Sequence, residues 1–378
     1  MRDVPDSRPS MLIMSFSPIA TDPRVIKQVR RFVTDFAVTT CGFGPAPDGV
    51  VEHIELDPYD RLKLDGRLIT ARSYRLAYWS QAAVRAARRV LAGRRFDVAI
   101  ANDIDALPLV LTTRTRHGVL ADMHEYFPRW QEENALWKKR IGPYYLWLCR
   151  RYLPRAAAIT TVSGGLAREY AKISGKPVEV VTNATPYHEL TPGPVGEKIR
   201  VVHSGGATRR RNIGRMIEAL GRIPDRVDFD LYLVANDVEH YAELERLAAA
   251  TENVRVLPGV PYRDLIPLLN EYDVGVYVAP PVSFNMEWML PNKFFDFVQA
   301  RLGIVVGPSP EMAAMVRADG LGLVTDGFEV DDIAAALGSL DRDQVAGWKA
   351  ASHAAASRLT AEAEIATWER TIEGMLAS

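Results

Sequence analysis

The sequence predicts an α/β protein made of two doubly wound halves, and three observations carry that expectation. Short apolar or β-branched runs alternate with amphipathic stretches along the whole chain, the pattern of parallel sheets wrapped by helices. The alternation lapses at HELTPGPVGEK, residues 188–198, where Pro, Gly and charge gather without periodicity, as in an interdomain linker. The 378 residues also exceed what one hydrophobic core usually serves. The expected division is 1–187, a linker at 188–198, a second domain over 199–356, and a C-terminal helix over 357–378.

In the first half SMLIMSFSP reads as a strand, and DPRVIKQVRRFV follows as a helix with Val25, Ile26, Val29, Phe32 and Val33 on one face. FAVTTCG, FDVAIAND, GVLADMHE, AAITTVSG and VEVVTNAT continue the strands. In the second half IRVVHSGG, FDLYLVAND, NVRVLPG, VGVYVAP, GIVVGPS and GLGLVTDG are strands, with NIGRMIEALGRI and RDLIPLLNEY among the helices. TAEAEIATWERTIEGMLAS closes the chain as an amphipathic helix expected to pack back across both halves. Ligands of such sheets bind at the C-terminal ends of the strands, so the chemistry is expected in loops facing a cleft between the halves.

Composition narrows the function classes. Apolar residues make up 48%, charged residues 25%, and the formal net charge is −1, which speaks against disorder and against a globally basic nucleic-acid binder. Cys41 and Cys149 follow no metal-ligand spacing and no disulfide framework, which favours a reducing compartment, read as the cytoplasm. The apolar run in MRDVPDSRPSMLIMSF is too short for a signal-peptide core, and no other stretch reaches the length of a membrane span.

The sharpest loop is VVHSGGATRRRNIGRMIEAL. A strand over 200–203 is expected to run into Ser204, Gly205 and Gly206, then three arginines, then a helix carrying Ile213, Met216, Ile217 and Leu220 on one side. Small residues let a phosphate approach the backbone, helix amides favour an anion, and arginine forks match phosphate oxygens. A plain chain turn with solvated arginines explains the same residues. The Walker frame is absent, and the prolines of CGFGPAPDG stand where a dinucleotide-binding helix would begin.

MLPNKFFDFVQARLGIVVG adds Asn292, Lys293 and Asp296 at the start of a helix opened by Pro291. Asp296 suits a ribose cis-diol or, equally simply, the helix dipole, and Lys293 suits a phosphate. LADMHEYFPRW sets His124 and Glu125 just after a strand, where a histidine either meets substrate or caps the strand. Of two D-x-D triplets, Asp228/Asp230 read as turn residues, while Asp103/Asp105 at a strand end remain a metal-binding alternative. Residues 137–155 carry six basic residues and no acid among Trp and Tyr, and 61–95 are similarly Arg-rich, which suits either an anionic membrane surface or a solvated helix face.

Taken together, HSGG before a basic helix start, TVSGGLAREY, VVTNATP and LPNKFFDFVQARLGIVVGPSPEM resemble the retaining, nucleotide-sugar-dependent GT-B glycosyltransferases of family four. That resemblance implies two Rossmann-like domains with the donor in the second. It lays Ser204 to Asn212 along the diphosphate, puts Arg211 at the family's lysine, and matches Asp296 to the second glutamate of its E-x7-E motif. The first glutamate falls on Trp288, with Glu287 the nearest acid and Asn285 another candidate. The family's arginine falls on Gly206, so Arg209 is expected to substitute for it. His124 resembles the histidine facing the donor sugar. Asp22 and Arg24 stand where a Gly-rich loop is missing, and with Asp103 and Glu125 they make up the expected acceptor side.

The implied activity is a hexosyltransferase-like transfer from a UDP-, GDP- or dTDP-type sugar to a hydroxyl acceptor (a sugar, a lipid-linked glycan or a small molecule), in glycan, glycolipid or natural-product biosynthesis. Arg209 and Arg211 would hold the leaving diphosphate and His124 would orient the sugar, without metal, cofactor or nucleic acid. Any membrane contact is expected to be peripheral, at the inner face. The rival readings are a metal-dependent transferase using Asp103 and Asp105, a same-fold sugar-nucleotide epimerase, and a non-catalytic nucleotide-sugar-binding protein, the last suggested by Trp288.

Overall fold

The computed structural model describes residues 7–60 and 62–377. The opening of the N-terminal run (1–6) and Arg61, the first residue of the Arg-rich stretch, lie outside them. The chain forms two compact units: Met1–Val181 with Ser283–Asn285 and Ile365–Ser378, and Thr182–Val282 with Met286–Glu364.

Unit 1 contains a parallel sheet of β1 (Ser10–Pro18), β2 (Ala37–Phe43), β3 (Glu52–Leu56), β4 (Val98–Asn102), β5 (Val119–Met123), β6 (Ala158–Thr161) and β7 (Glu179–Val180). Its spatial order is β3-β2-β1-β4-β5-β6-β7. Helix α1 (Pro23–Phe32) starts where Asp22 accepts the amides of Arg24 and Val25, and it buries Val25, Val29 and Phe32. Helix α2 (Asp103–Val110) follows β4 without an intervening loop. The helices α3 (Gly142–Tyr152) and α4 (Gly164–Ser174) flank the later strands. The edge strand β3 was not expected, because EHIEL is half charged and pairs on one side only, through Thr39↔Glu52 to Phe43↔Leu56.

Unit 2 contains β8 (Ile199–Gly206), β9 (Val227–Val234), β10 (Val254–Pro258), β11 (Val274–Tyr277), β12 (Gly303–Val306) and β13 (Gly322–Val324). Their order is β10-β9-β8-β11-β12-β13, again parallel. Helices α5 (Ile213–Gly221), α6 (Val238–Ala249), α7 (Tyr262–Leu269) and α8 (Asn292–Gln299) carry the loops discussed below. Strand β8 runs longer than expected: Gly205 and Gly206 still pair with Leu233 and Val234 of β9.

The expectation of two doubly wound sheets holds, and both sheets reverse strand order after their first strand, as in the Rossmann arrangement. Such a reversal opens a crevice beyond the carboxyl ends of the two strands that flank it. In unit 1 those strands are β1 and β4; in unit 2 they are β8 and β11.

The chain leaves unit 1 at Val181, which is buried in that unit's core, and residues 182–198 join unit 2 through Ala184 and Leu190. The closing helix α9 (Ala361–Ala377) belongs to unit 1 from Ile365 onward, where Trp368, Ile372 and Met375 are buried. Truncating a buried tryptophan such as Trp368 to alanine costs about 3–5 kcal/mol, so this return is a major part of the unit's stability. Among the described residues no helix is long and apolar enough to cross a membrane.

Candidate functional site

At the crevice of unit 2, Gly205 adopts φ +135°, a region closed to most side chains, and a Cβ there would lie 2.9 Å from both Arg211 Nη1 and Lys293 Nζ. Two cations therefore converge on the end of β8. Arg211 reaches back from a short turn, Arg209–Arg211, to the Gly206 carbonyl at 3.3 Å. Lys293 comes from the first turn of α8 and is buried, its Nζ 4.5 Å from the centre of the Tyr277 ring at the end of β11.

His203 completes this pocket. Its Nδ1 faces the Val276 carbonyl at 2.9 Å, a contact in which only the ring can donate, so Nε2 is left to accept from Lys293 Nζ at 3.4 Å. Burial, and then the Lys293 charge, hold His203 well below its ordinary pKa, so it is neutral. Burial, and then the Arg211 guanidinium, likewise push Lys293 well below the usual lysine value. Neither Lys293 nor Arg211 has a carboxylate within ion-pair distance among the described residues. The buried Lys293 and the half-buried Arg211 thus bring two basic groups to one strand end with no ion pair, only the Asp296 charge acting on Lys293, an arrangement suited to an anion such as phosphate.

The surrounding residues divide clearly. Ser204 is buried within β8, and Asn212, in the left-handed region at φ 53°, ends the arginine turn and opens α5. A Cβ on Gly206 would run into the Asn236 side chain, a steric reason for glycine where the family's arginine falls. Arg209 does not point at this site, contrary to expectation. Its guanidinium makes two hydrogen bonds to Glu243 at 2.8 and 2.9 Å and lies near Asp237, because α6 and its cap offer the closest carboxylates.

In α8 the helix begins at Asn292, with Pro291 as the N-cap, so Asp296 lies in the second turn rather than at the start. That position removes the helix-dipole explanation, since the free amides end before it. Asp296 is buried, and its Oδ1 accepts the Thr185 hydroxyl at 2.6 Å and the Tyr262 hydroxyl at 3.1 Å. Asn292 is exposed. Glu287 is half-buried, and its carboxylate has no hydrogen bond or ion pair among the described residues. Asn285 belongs to unit 1, where its side chain brackets the Tyr126 backbone, accepting from N at 2.7 Å and donating to O at 3.3 Å.

At the crevice of unit 1, β4 ends in Asn102, whose Nδ2 reaches the Met14 carbonyl of β1 at 3.4 Å. His124 stands beside it. Its Nε2 lies 3.1 Å from Asn102 Oδ1 and 3.3 Å from Asp122 Oδ2, and its Nδ1 lies 3.5 Å from Asp103 Oδ2. Asn102 Oδ1 also accepts from Gln28, so it cannot donate to the ring. Burial works against a charge on His124, yet the carboxylates of Asp103 and Asp122 outweigh it and raise its pKa. The two acids thus favour the protonated ring. Asp103 additionally accepts the His124 amide at 2.8 Å, from a backbone held at φ +67°.

Three acceptor-side expectations fail in this unit. Asp22 caps α1 and Arg24 is buried, its Nε and Nη2 both 2.7 Å from Asp122 and its Nη1 2.7 Å from the Val181 carbonyl. Burial disfavours a charge on Asp122, but Arg24 overrides it and holds the carboxyl far below its usual range. Asp103 serves His124 rather than an acceptor. Glu125 and Asp105 are pushed up to about 7, by burial first and then by the Asp103 charge, and so sit poised near neutrality at the same strand ends. Among the described residues no three His, Cys, Asp or Glu side chains gather as a metal-ligand set. His203, Tyr262 and Asn102 were not singled out from sequence; their one signal was a polar group at the end of an apolar run or, for Tyr262, none.

Two doubly wound units of matching strand order define the fold class, the arrangement of two Rossmann-like domains called GT-B. Residues 35–189 match the family model described as Glycosyltransferase Family 4. Sucrose-phosphate synthase from Thermosynechococcus elongatus aligns with a TM-score of 0.72 over 98% of this chain and 100% of that one, at 13% identity. HepE from Anabaena, solved in complex with UDP-glucose, aligns at 0.70 over 97% and 100%, with 14% identity. The α,α-trehalose 6-phosphate synthase from Burkholderia multivorans gives 0.67 over 98% and 99%, at 12% identity. At these identities the likeness is one of fold. No curated protein matches the chain in sequence.

Proposed function

We propose that the protein transfers a hexose from a nucleoside diphosphate sugar to a hydroxyl acceptor, with retention at the anomeric carbon, and that unit 2 holds the donor. The observation that carries this reading is the meeting of Arg211 and Lys293 at Gly205, two basic side chains with no ion pair to a carboxylate among the described residues, at the crevice end of β8. A departing diphosphate gains charge on its terminal oxygens. Fixed cations and the amides at the start of α5 stabilise that charge more in the transition state than in the ground state.

Asp296, braced by Thr185 and Tyr262, is assigned to the ribose, and Glu287 to a donor-sugar hydroxyl in place of the acid missing at Trp288. His124, whose protonated form Asp103 and Asp122 favour, is assigned to orienting the sugar. Both its ring nitrogens already face protein oxygens, so a role as general base is not part of the proposal. Side-chain cations supply the positive charge, and transfer is expected to survive chelation. Loss of activity with a chelator would instead favour the Asp103/Asp105 metal alternative. HepE was solved with UDP-glucose, which makes uridine diphosphate sugars the first donors to test.

The test is a thermal-shift screen with UDP, GDP, dTDP and their sugars, followed by transfer assays that read the anomeric configuration by NMR. A ligand that binds only the folded state raises the melting temperature by an amount set by its affinity. The expected result is a shift with one nucleotide that disappears in Arg211→Ala and in Lys293→Ala. An equal shift in both variants would sink the assignment, and donor consumption without an acceptor would point to the epimerase.

A further inference from the structure

The two basic, aromatic stretches read from the sequence, 61–95 and 137–155, are far apart along the chain, yet unit 1 folds them onto one face. The Tyr74 ring packs 5.9 Å from both Tyr144 and Trp147, and Tyr78 packs 6.5 Å from Tyr152. Above these contacts Arg75, Arg88, Arg151 and Arg155 line a hollow of about 280 Å³. A neighbouring hollow of about 590 Å³ shares Arg75, Arg88 and Trp79, and adds Arg72 and Leu76. No acidic residue lines either one.

These arginines differ from others on the surface. Arg94 binds Glu52, and Arg222 binds Glu218 and Asp331. By contrast, Arg72, Arg75, Arg88, Arg151 and Arg155 have no ion pair or side-chain hydrogen bond among the described residues. Arg88 lies 5.1 Å from the Trp79 ring and Arg155 lies 5.7 Å from the Tyr152 ring, so aromatic faces rather than carboxylates fix their direction. Five uncompensated guanidinium groups around open hollows are complementary to phosphate. Leu76, 57% exposed beside Arg75 on the same short helix, adds an apolar contact that a soluble phosphate would not use.

We propose that this face of unit 1 docks on an anionic phospholipid surface, the arginines taking headgroup phosphates while Leu76 and Trp79 enter the interfacial zone. Basic residues at such a surface strengthen binding by about fivefold each, and the effect is screened by salt. The inference is independent of the donor site.

The experiment is co-sedimentation of the full chain with vesicles of phosphatidylglycerol and phosphatidylcholine in equal parts, against phosphatidylcholine alone. The expected result is retention on the mixed vesicles only, weakened by added salt. Arg75→Gln, Arg88→Gln and Arg151→Gln combined should reduce it by about a hundredfold, with the melting temperature within a few degrees of wild type as the folding control. Leu76→Ser alone should weaken retention without changing its salt dependence. Equal retention on both vesicles, no retention on either, or an unaffected triple variant would overturn the proposal. So would thermal stabilisation by inorganic pyrophosphate, lost in the triple variant, without vesicle binding, which would make the hollows a site for soluble anions.

Discussion

Lys293 Nζ and Arg211 Nη1 stand equally far, 2.9 Å, from the point where a Cβ on Gly205 would lie, so the absence of a side chain there lets two cations share one strand end. Gly205→Ala would both displace them and force a side chain into φ +135°. The expected cost is about 1–3 kcal/mol of stability, measured by urea denaturation, together with loss of the nucleotide-induced thermal shift. A full shift in this variant would show that no phosphate approaches Gly205.

Under the proposed function, Lys293 should make donor binding depend on pH. Burial and then Arg211 depress its pKa in the unligated protein, and a bound diphosphate would raise it, so binding takes up a proton in the window between the two values. Affinity should fall as pH rises through that window, by up to about tenfold per unit. Calorimetry in buffers of different ionisation enthalpy should register the proton, and Lys293→Gln should abolish it. The same depression works against the unligated fold: the unfolded chain binds the extra proton, so this contribution to stability improves as pH climbs from the depressed value toward 10.5.

Arg209 and Arg211 are two residues apart but point at different partners. Arg209→Ala removes an exposed pairing with Glu243 and should leave nucleotide affinity within about twofold, whereas Arg211→Ala should lower it by at least tenfold, both read by titration calorimetry. Equal losses would mean that Arg209 swings to the ligand.

Asp296 can be separated from the phosphate site by choice of ligand. Asp296→Asn should weaken UDP by about tenfold while leaving inorganic pyrophosphate, which has no ribose, nearly unchanged. If both ligands weaken alike and the melting temperature drops, the carboxylate serves only to hold Thr185 and Tyr262.

The strands were legible because parallel strands are covered on both faces and read as apolar runs such as MLIM and VAIA. β3 escaped for the opposite reason: a charged edge strand carries no such run. Three consecutive arginines are equivalent in sequence, and only the turn closed by Asn212 at φ 53° sorts Arg209 from Arg211. Lys293 and Asp296 share a helix face by their spacing, but the distance of Lys293 from Gly205 comes from packing 88 residues along the chain. Arg24 looked available for an acceptor because its partner Asp122 is 98 residues away. Local pattern locates loops at strand ends; which side chains are already satisfied there is a property of tertiary contacts.

Asp103 offers the cleanest test of the unit 1 site. Asparagine tolerates positive φ as readily as aspartate and can still accept the His124 amide, so Asp103→Asn keeps the geometry and removes one charge. The His124 pKa should fall, read from the ring proton by NMR titration. In the wild type, a His124 pKa raised above 6.5 contributes stability that is fully present below that value and is lost as pH rises through the raised one. The variant should therefore lose on the order of 1 kcal/mol at acidic pH relative to alkaline pH, where the ring is neutral in both proteins and only the burial cost of the Asp103 charge is relieved. Loss of equal size across the whole range would point to backbone strain or packing instead, and an unchanged titration would place the source of the raised pKa in Asp122 alone.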